Sequence, residues 1–261
     1  MPPSLDNTLV WALTQYNVQI WLFVLIRLSG LMLTLPAIGQ ERIPRTVRVC
    51  LVALMTVVVA PVVPLPEALP QTAWGLVGYA VCELTTGLIL GAIVSWLLEM
   101  VAMAGQLLDM QMGFSFAQII DPGTSTSSAF AGTILVQCTT LFILISGLHL
   151  QMIKALVDTY RLLPIGTAPP IRPMLLIGLF GQLLAKGFQL SMPVLLVLMI
   201  VNVLEAFAAK FMPQLHIIQI SFPLKIAVGL FVFAFMLQEF SAWLMPLVER
   251  MPEWSLNMLK P

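Results

Sequence analysis

The chain has 261 residues, of which 59% are hydrophobic and only 9% charged, and its formal net charge is zero. A soluble domain carries about 25% charged residues, so too few remain here to clothe a water-facing surface. A nucleic-acid partner, which would need a basic stripe, is excluded, and the mean hydropathy of +0.99 predicts an all-α membrane protein.

Residues 1–10 carry Asp6 and no Lys or Arg. A secretory signal starts with basic residues, so the first apolar run is expected to stay in the mature protein. Uncharged or nearly uncharged stretches follow at about residues 9–35, 49–60, 72–108, 129–153, 174–204 and 224–248. A helix rises ~1.5 Å per residue and the hydrocarbon core is ~30 Å thick, so ~20 residues cross it. Most of these stretches suffice, and two are too long. Residues 72–108 and 129–163 contain no proline and predict helices of roughly 55 and 50 Å. Either each bends into two shorter spans, or each projects beyond a bilayer and needs neighbouring protein to cover it.

Between these two lies the sequence Met110, Gln111, Met112, Gly113, Phe114, Ser115, Phe116, continuing to Asp121, Pro122 and Gly123 and then to a Thr/Ser run at residues 124–128. Its apolar part is too short to span, and Gly113, Pro122 and Gly123 interrupt regular helix. Irregular backbone at membrane depth survives only inside protein or along a cavity. The segment therefore reads either as a re-entrant, plug-like loop between two long helices or as a short loop on the membrane surface. Prolines punctuate the remainder at residues 61–70 and 164–173, and Pro213 and Pro223 bracket an apparent connector between two helices.

Six charges lie inside the apolar stretches: Arg27, Glu83, Glu99, Lys186, Glu205 and Glu239. A charge at the bilayer centre costs ~2.5–3.5 kcal/mol on insertion scales, so each is expected to pair, to face other protein or to border an aqueous lumen. An ion pathway and structural pairing both answer that requirement, and no cluster of carboxylates favours the first. Ser95, Glu99, Met103, Gln106 and Met110 recur at spacings of three and four and share one helix face. That face suits a lumen or a partner subunit. Its methionines could mould a seal or merely fill gaps in a core. Gly87 and Gly91 allow close helix approach. Cys50, Cys82 and Cys138 stand apart as small buried hydrophobes. His149 and His216 are lone histidines, whereas a metal site needs three or four ligands. No catalytic, cofactor-binding or metal motif is present, which argues against an enzyme.

Arg42, Arg45 and Arg48 favour a cytoplasmic first loop, and Lys154, Arg161 and Arg172 favour the same side for a later one. Both sit inside only if residues 72–108 cross twice.

Several of these residues together resemble the FliR family of flagellar biosynthetic proteins, the R/T subunits of type III secretion export gates. The resemblance lies in Glu99, Gly105 and Gln106, in Met110–Ala117 with Asp121, Pro122 and Gly123, and in Leu163–Gly166. It extends to Pro213, Gln214, Leu215, Ile217 and Ile220–Lys225, with Phe222, Pro223 and Lys225 at its end. Early in the chain it rests on Arg27–Met32, Pro36 and Ile43–Arg48. It covers about residues 20–250.

The resemblance implies a pore subunit of the export gate, assembled with FliP and FliQ into a conical complex, with FlhB docking at the cytoplasmic side. The gate would stand in the basal-body ring of the bacterial inner membrane, touch membrane lipid, and pass unfolded flagellar proteins. It further implies a P-like part over residues 1–172 fused to a Q-like helical hairpin over 173–261. The loop of about residues 110–123 would be the plug, with Met112, Phe114 and Phe116 blocking the lumen and Gly113 as the hinge. Two rivals remain. A secondary transporter would need broken helices in two matching halves, and one interrupted segment is visible. An intramembrane enzyme would need a nucleophile–base pair.

Overall fold

The computed structural model describes residues 18–35, 44–64, 66, 70–114, 130–170, 172–211 and 217–259. Among them all regular structure is helical: α1 (Val18–Thr34), α2 (Arg45–Val59) with a 3₁₀ turn at Ala60–Val62, α3 (Ala73–Met112), α4 (Phe130–Ile145), α5 (Leu148–Leu162), α6 (Pro173–Phe211) and α7 (Ile217–Leu259). Ser115, Phe116, Asp121, Pro122, Gly123, Pro213, Gln214 and His216 lie outside the described residues.

Of the two options for residues 72–108, the uninterrupted one is observed. The 40 residues of α3 form one helix, roughly 60 Å long. Without proline or a left-handed residue inside it, nothing breaks its ladder. Residues 129–163 instead divide at Ser146 and Gly147, where Gly147 takes φ +69°. An L-residue rarely enters that region, and a glycine enters it freely. The expected connector is shorter than the two prolines suggest: α7 starts at Ile217, so Phe222, Pro223 and Lys225 are helical. A proline's missing N–H is tolerated in membrane helices where neighbouring groups satisfy the freed carbonyl. Four of these helices are long and apolar enough to cross a membrane, beginning at Arg45, Ala73, Pro173 and Ser221; the pair α4 and α5 would make a fifth, broken span.

The chain forms two units. The first comprises α1, α2, α3 up to Ser95, α5 with the following turn, and the residues from Arg250 onward. Its core is the crossing of α1 on α3. A Cβ on Gly87 would collide with the Arg27 carbonyl, and one on Gly91 with Thr34, so the two glycines let the backbones touch. The Ser95 hydroxyl donates to the Thr34 carbonyl at 2.7 Å. Cys50 corrects the expectation of burial, since it lies exposed on a face of α2 shared with Val47, Leu54 and Val58; a helix needs to bury only the side that meets its neighbours.

The second unit comprises α3 from Trp96, α4, α6 from Ile177 and α7 up to Glu249. Leu97, Val101, Ala104 and Leu108 of α3 pack there with Leu135 and Ile143 of α4 and Leu190, Val194 and Leu198 of α6 fully or almost fully buried. Trp96 meets Phe180 edge-on at 5.5 Å between ring centroids.

Candidate functional site

The structure answers the question of the buried charges first. In the first unit Arg27 and Glu83 are both fully buried and form a two-pronged pair, Nε to Oε2 at 2.6 Å and Nη2 to Oε1 at 3.0 Å. Nη1 also donates to Thr159 Oγ1 at 3.1 Å and Nη2 to the Leu163 carbonyl at 3.2 Å. The Gly166 N–H donates to Glu83 Oε1 at 2.9 Å, and the guanidinium lies 3.9 Å from the centre of the Tyr160 ring. One ion pair thus fastens α1, α3, α5 and the turn Leu163–Gly166. Structural pairing, rather than an ion path, accounts for both charges, because each of the three guanidinium nitrogens of Arg27 donates to protein.

In the second unit Lys225 of α7 pairs with Glu205 of α6 at 3.1 Å. Oε1 of Glu205 is buried and has no hydrogen-bond partner among the described residues. The pair borders a cavity of about 510 Å³ lined also by Gln111, Gly113, Asn202 and Phe222, at the end of α3 where the interrupted segment begins. Lys186 donates to Gln189 Oε1 at 3.1 Å on the exposed face of α6. Glu99 and Glu239 are exposed.

The structure places the residues of the predicted stripe as follows. Glu99, Gln106 and Met110 are exposed on one side of α3 and Met103 is half-buried between them. Ser95 does not continue this face, since its hydroxyl is spent on α1. The beginning of the expected loop also differs. Met110, Gln111 and Met112 are still helical, and the break comes only at Gly113, with φ +87°. Met112 is fully buried where Gly229 of α7 comes against its side chain. It is therefore a core residue and not a bulky group free to fill a lumen. Phe114, just past the break, is half-buried with its ring centroid 5.6 Å from that of Phe130.

One residue escaped the sequence reading. Asp109, almost fully buried, accepts the Ala131 N–H on Oδ1 at 2.9 Å and the Gly132 N–H on Oδ2 at 3.1 Å. It caps the first turn of α4 from a different helix. Among the described residues no three His, Cys, Asp or Glu side chains converge as metal ligands.

A model of the family "Bacterial export proteins, family 1" matches residues 18–251, which is nearly all of the chain. The flagellar biosynthetic protein FliR of Escherichia coli (strain K12) is 30% identical over 224 residues, 85% of either chain. The chain belongs to the FliR family of bacterial export proteins. FliR of Caulobacter vibrioides is 28% identical over 85% of this chain and 89% of its own, and FliR of Bacillus subtilis is 28% identical over 80% and 82%. The matched region takes in the buried ion pair, the stripe on α3 and the Asp109 cap alike. Family membership and the apolar helices together make this a membrane protein of flagellum biogenesis and protein export.

Proposed function

We propose that the chain is a structural pore subunit of the flagellar type III secretion export gate in the bacterial inner membrane. It passes unfolded flagellar proteins and helps to plug the closed channel, without catalysing a reaction. Its neighbours are FliP and FliQ, with FlhB at the cytoplasmic side and the basal-body ring around the assembly. Residues 1–172 act as the P-like part and 173–261 as the Q-like hairpin.

The observation that carries this reading is the exposed face of α3. Glu99 and Gln106 stand uncovered on a helix of largely apolar composition, and that face runs to Gly113, where the helix breaks. Lipid at mid-depth would charge ~2.5–3.5 kcal/mol for the carboxylate, whereas a water-filled conduit would not. The methionines beside it are flexible enough to accommodate side chains of many shapes in transit. Family membership supports the export role.

Two measurements test it. Co-expression with FliP and FliQ should yield a stable complex, while the chain made alone should be degraded or aggregate; a stable, folded monomer in ordinary lipid would contradict the assignment. Deleting residues 115–121, which leaves α3 intact, should let ions and small dyes cross the assembled gate. A gate that stays tight after that deletion would remove the plug role.

A further inference from the structure

In the first unit α1 and α2 enclose a groove of about 190 Å³ whose lining surface is wholly apolar. Met32 and Val52 form its buried floor, and Leu25, Leu33, Val49 and Ala53 stand exposed along its sides. Ser29 also borders it, but the Ser29 hydroxyl donates to the Ile26 carbonyl at 2.7 Å and offers the groove only carbon. Arg48 lines the groove through its aliphatic stem. Side chains on a helix lean toward its N-terminus, so this stem leads from the groove toward Arg45, one turn earlier and exposed. Arg45, Arg48, Val49 and Val52 recur at helical spacing and share one face of α2. That face is basic for its first turn and apolar thereafter.

The depth of this face in a membrane follows from the length of the span. α2 and the 3₁₀ turn after it form one candidate span of 18 residues, Arg45–Val62. It rises roughly 27 Å, close to the ~30 Å hydrocarbon core. Arg45 therefore falls at the membrane boundary, among lipid headgroups, and Val49 to Ala53 lie ~6–12 Å deeper, among acyl chains. Among the described residues no side chain caps the first turn of α2, so the N–H groups of Arg45, Thr46 and Val47 add partial positive charge at headgroup depth. The sequence from Pro36 to Arg48 carries three arginines against one acid, Glu41. A protein partner would have to carry a carboxylate to this depth, whereas a phospholipid holds its phosphate there already. We propose that the groove binds one anionic phospholipid, with its phosphate on Arg45 and Arg48 and an acyl chain lying between α1 and α2. The inference needs only that α2 crosses the membrane, and it stands whether or not the chain is a gate subunit.

The test uses the full chain assembled with FliP and FliQ, or the chain alone should it prove stable by itself. The probe is a phosphatidylglycerol carrying a photo-reactive diazirine near the middle of one acyl chain. After illumination the labelled peptides should fall within residues 25–33 and 49–53. Unlabelled phosphatidylglycerol should compete the label away, and phosphatidylcholine at equal concentration should not. Arg45→Gln and Arg48→Gln should each weaken that binding about fivefold, the loss expected for one cation removed from beside an anionic lipid, while R45K/R48K should keep most of it. Ala53→Phe, with both arginines intact, should fill the groove and abolish the labelling. Ala53 is exposed, so this variant decides the matter even where an arginine variant does not assemble. Equal competition by phosphatidylcholine, or label spread evenly over the exposed apolar residues of α6 and α7, would mean ordinary surrounding lipid and overturn the inference. Label on partner subunits alone would overturn it too, by showing that another protein covers the groove, as would undiminished labelling of the Ala53→Phe chain.

Discussion

Arg27 and Glu83 show how much one buried pair can determine. Each is fully buried, and between them they engage Thr159, Leu163 and Gly166. Removing one partner leaves an uncompensated charge, which costs about 3–5 kcal/mol, while replacing both by apolar residues of similar volume is often neutral. Arg27→Met and Glu83→Leu singly should therefore lower the melting temperature of the purified gate sharply, and the double variant R27M/E83L should recover much of that loss. Equal destabilisation by the single and double variants would show that the side chains matter for shape rather than charge. The sequence carried half of this result. A charge in an apolar run must be satisfied, and that followed from composition alone. The identity of the partner did not, because Arg27 and Glu83 are 56 residues apart and no local spacing links them. Asp109 was missed for the same reason: a cap is sought immediately before a helix, and this one is supplied from 22 residues upstream of Ala131.

At the scale of elements, hydropathy identified the apolar helices and misjudged where several end. The two overlong stretches looked alike in sequence, yet α3 is continuous and the second stretch breaks at Gly147. Both contain glycines, and only a glycine in the left-handed region ends a helix; one that packs against a neighbour, as Gly87 does, stays helical. This distinction is testable on α3 itself. Gly78→Ala meets nothing within 4 Å and should stabilise by about 1 kcal/mol through helix propensity. Gly87→Ala would push α3 off the Arg27 carbonyl and should cost about 1–3 kcal/mol as overpacking. Thermal unfolding of the two variants in the assembled gate checks the contrast; equal effects would mean that α1 and α3 do not cross as described. That Glu99, Met103, Gln106 and Met110 share one side of α3 was legible because helical periodicity is local. The bond from the Ser95 hydroxyl to the Thr34 carbonyl is a tertiary fact that no local spacing gives.

At the scale of the molecule, the described surface is too apolar for water and too polar in places for lipid. The most apolar windows of the helices starting at Pro173 and Ser221 are only 17% and 11% buried, and Val203, Phe207, Phe231 and Phe235 stand exposed. Apolar patches of this extent mark faces that another protein or a membrane covers. The exposed Glu99 and Gln106 belong to a different environment. On the proposed function they divide the surface into faces for partners or lipid and a face for cargo, and this division is the central claim. Its most direct measurement places a photo-reactive amino acid at position 99 or 106, and in parallel at 203 or 235, in gates holding a stalled flagellar substrate. Cross-links to the substrate from 99 and 106, with links only to partner subunits or lipid from 203 and 235, are the predicted result; substrate captured at 203 or 235 and absent at 99 and 106 would contradict it.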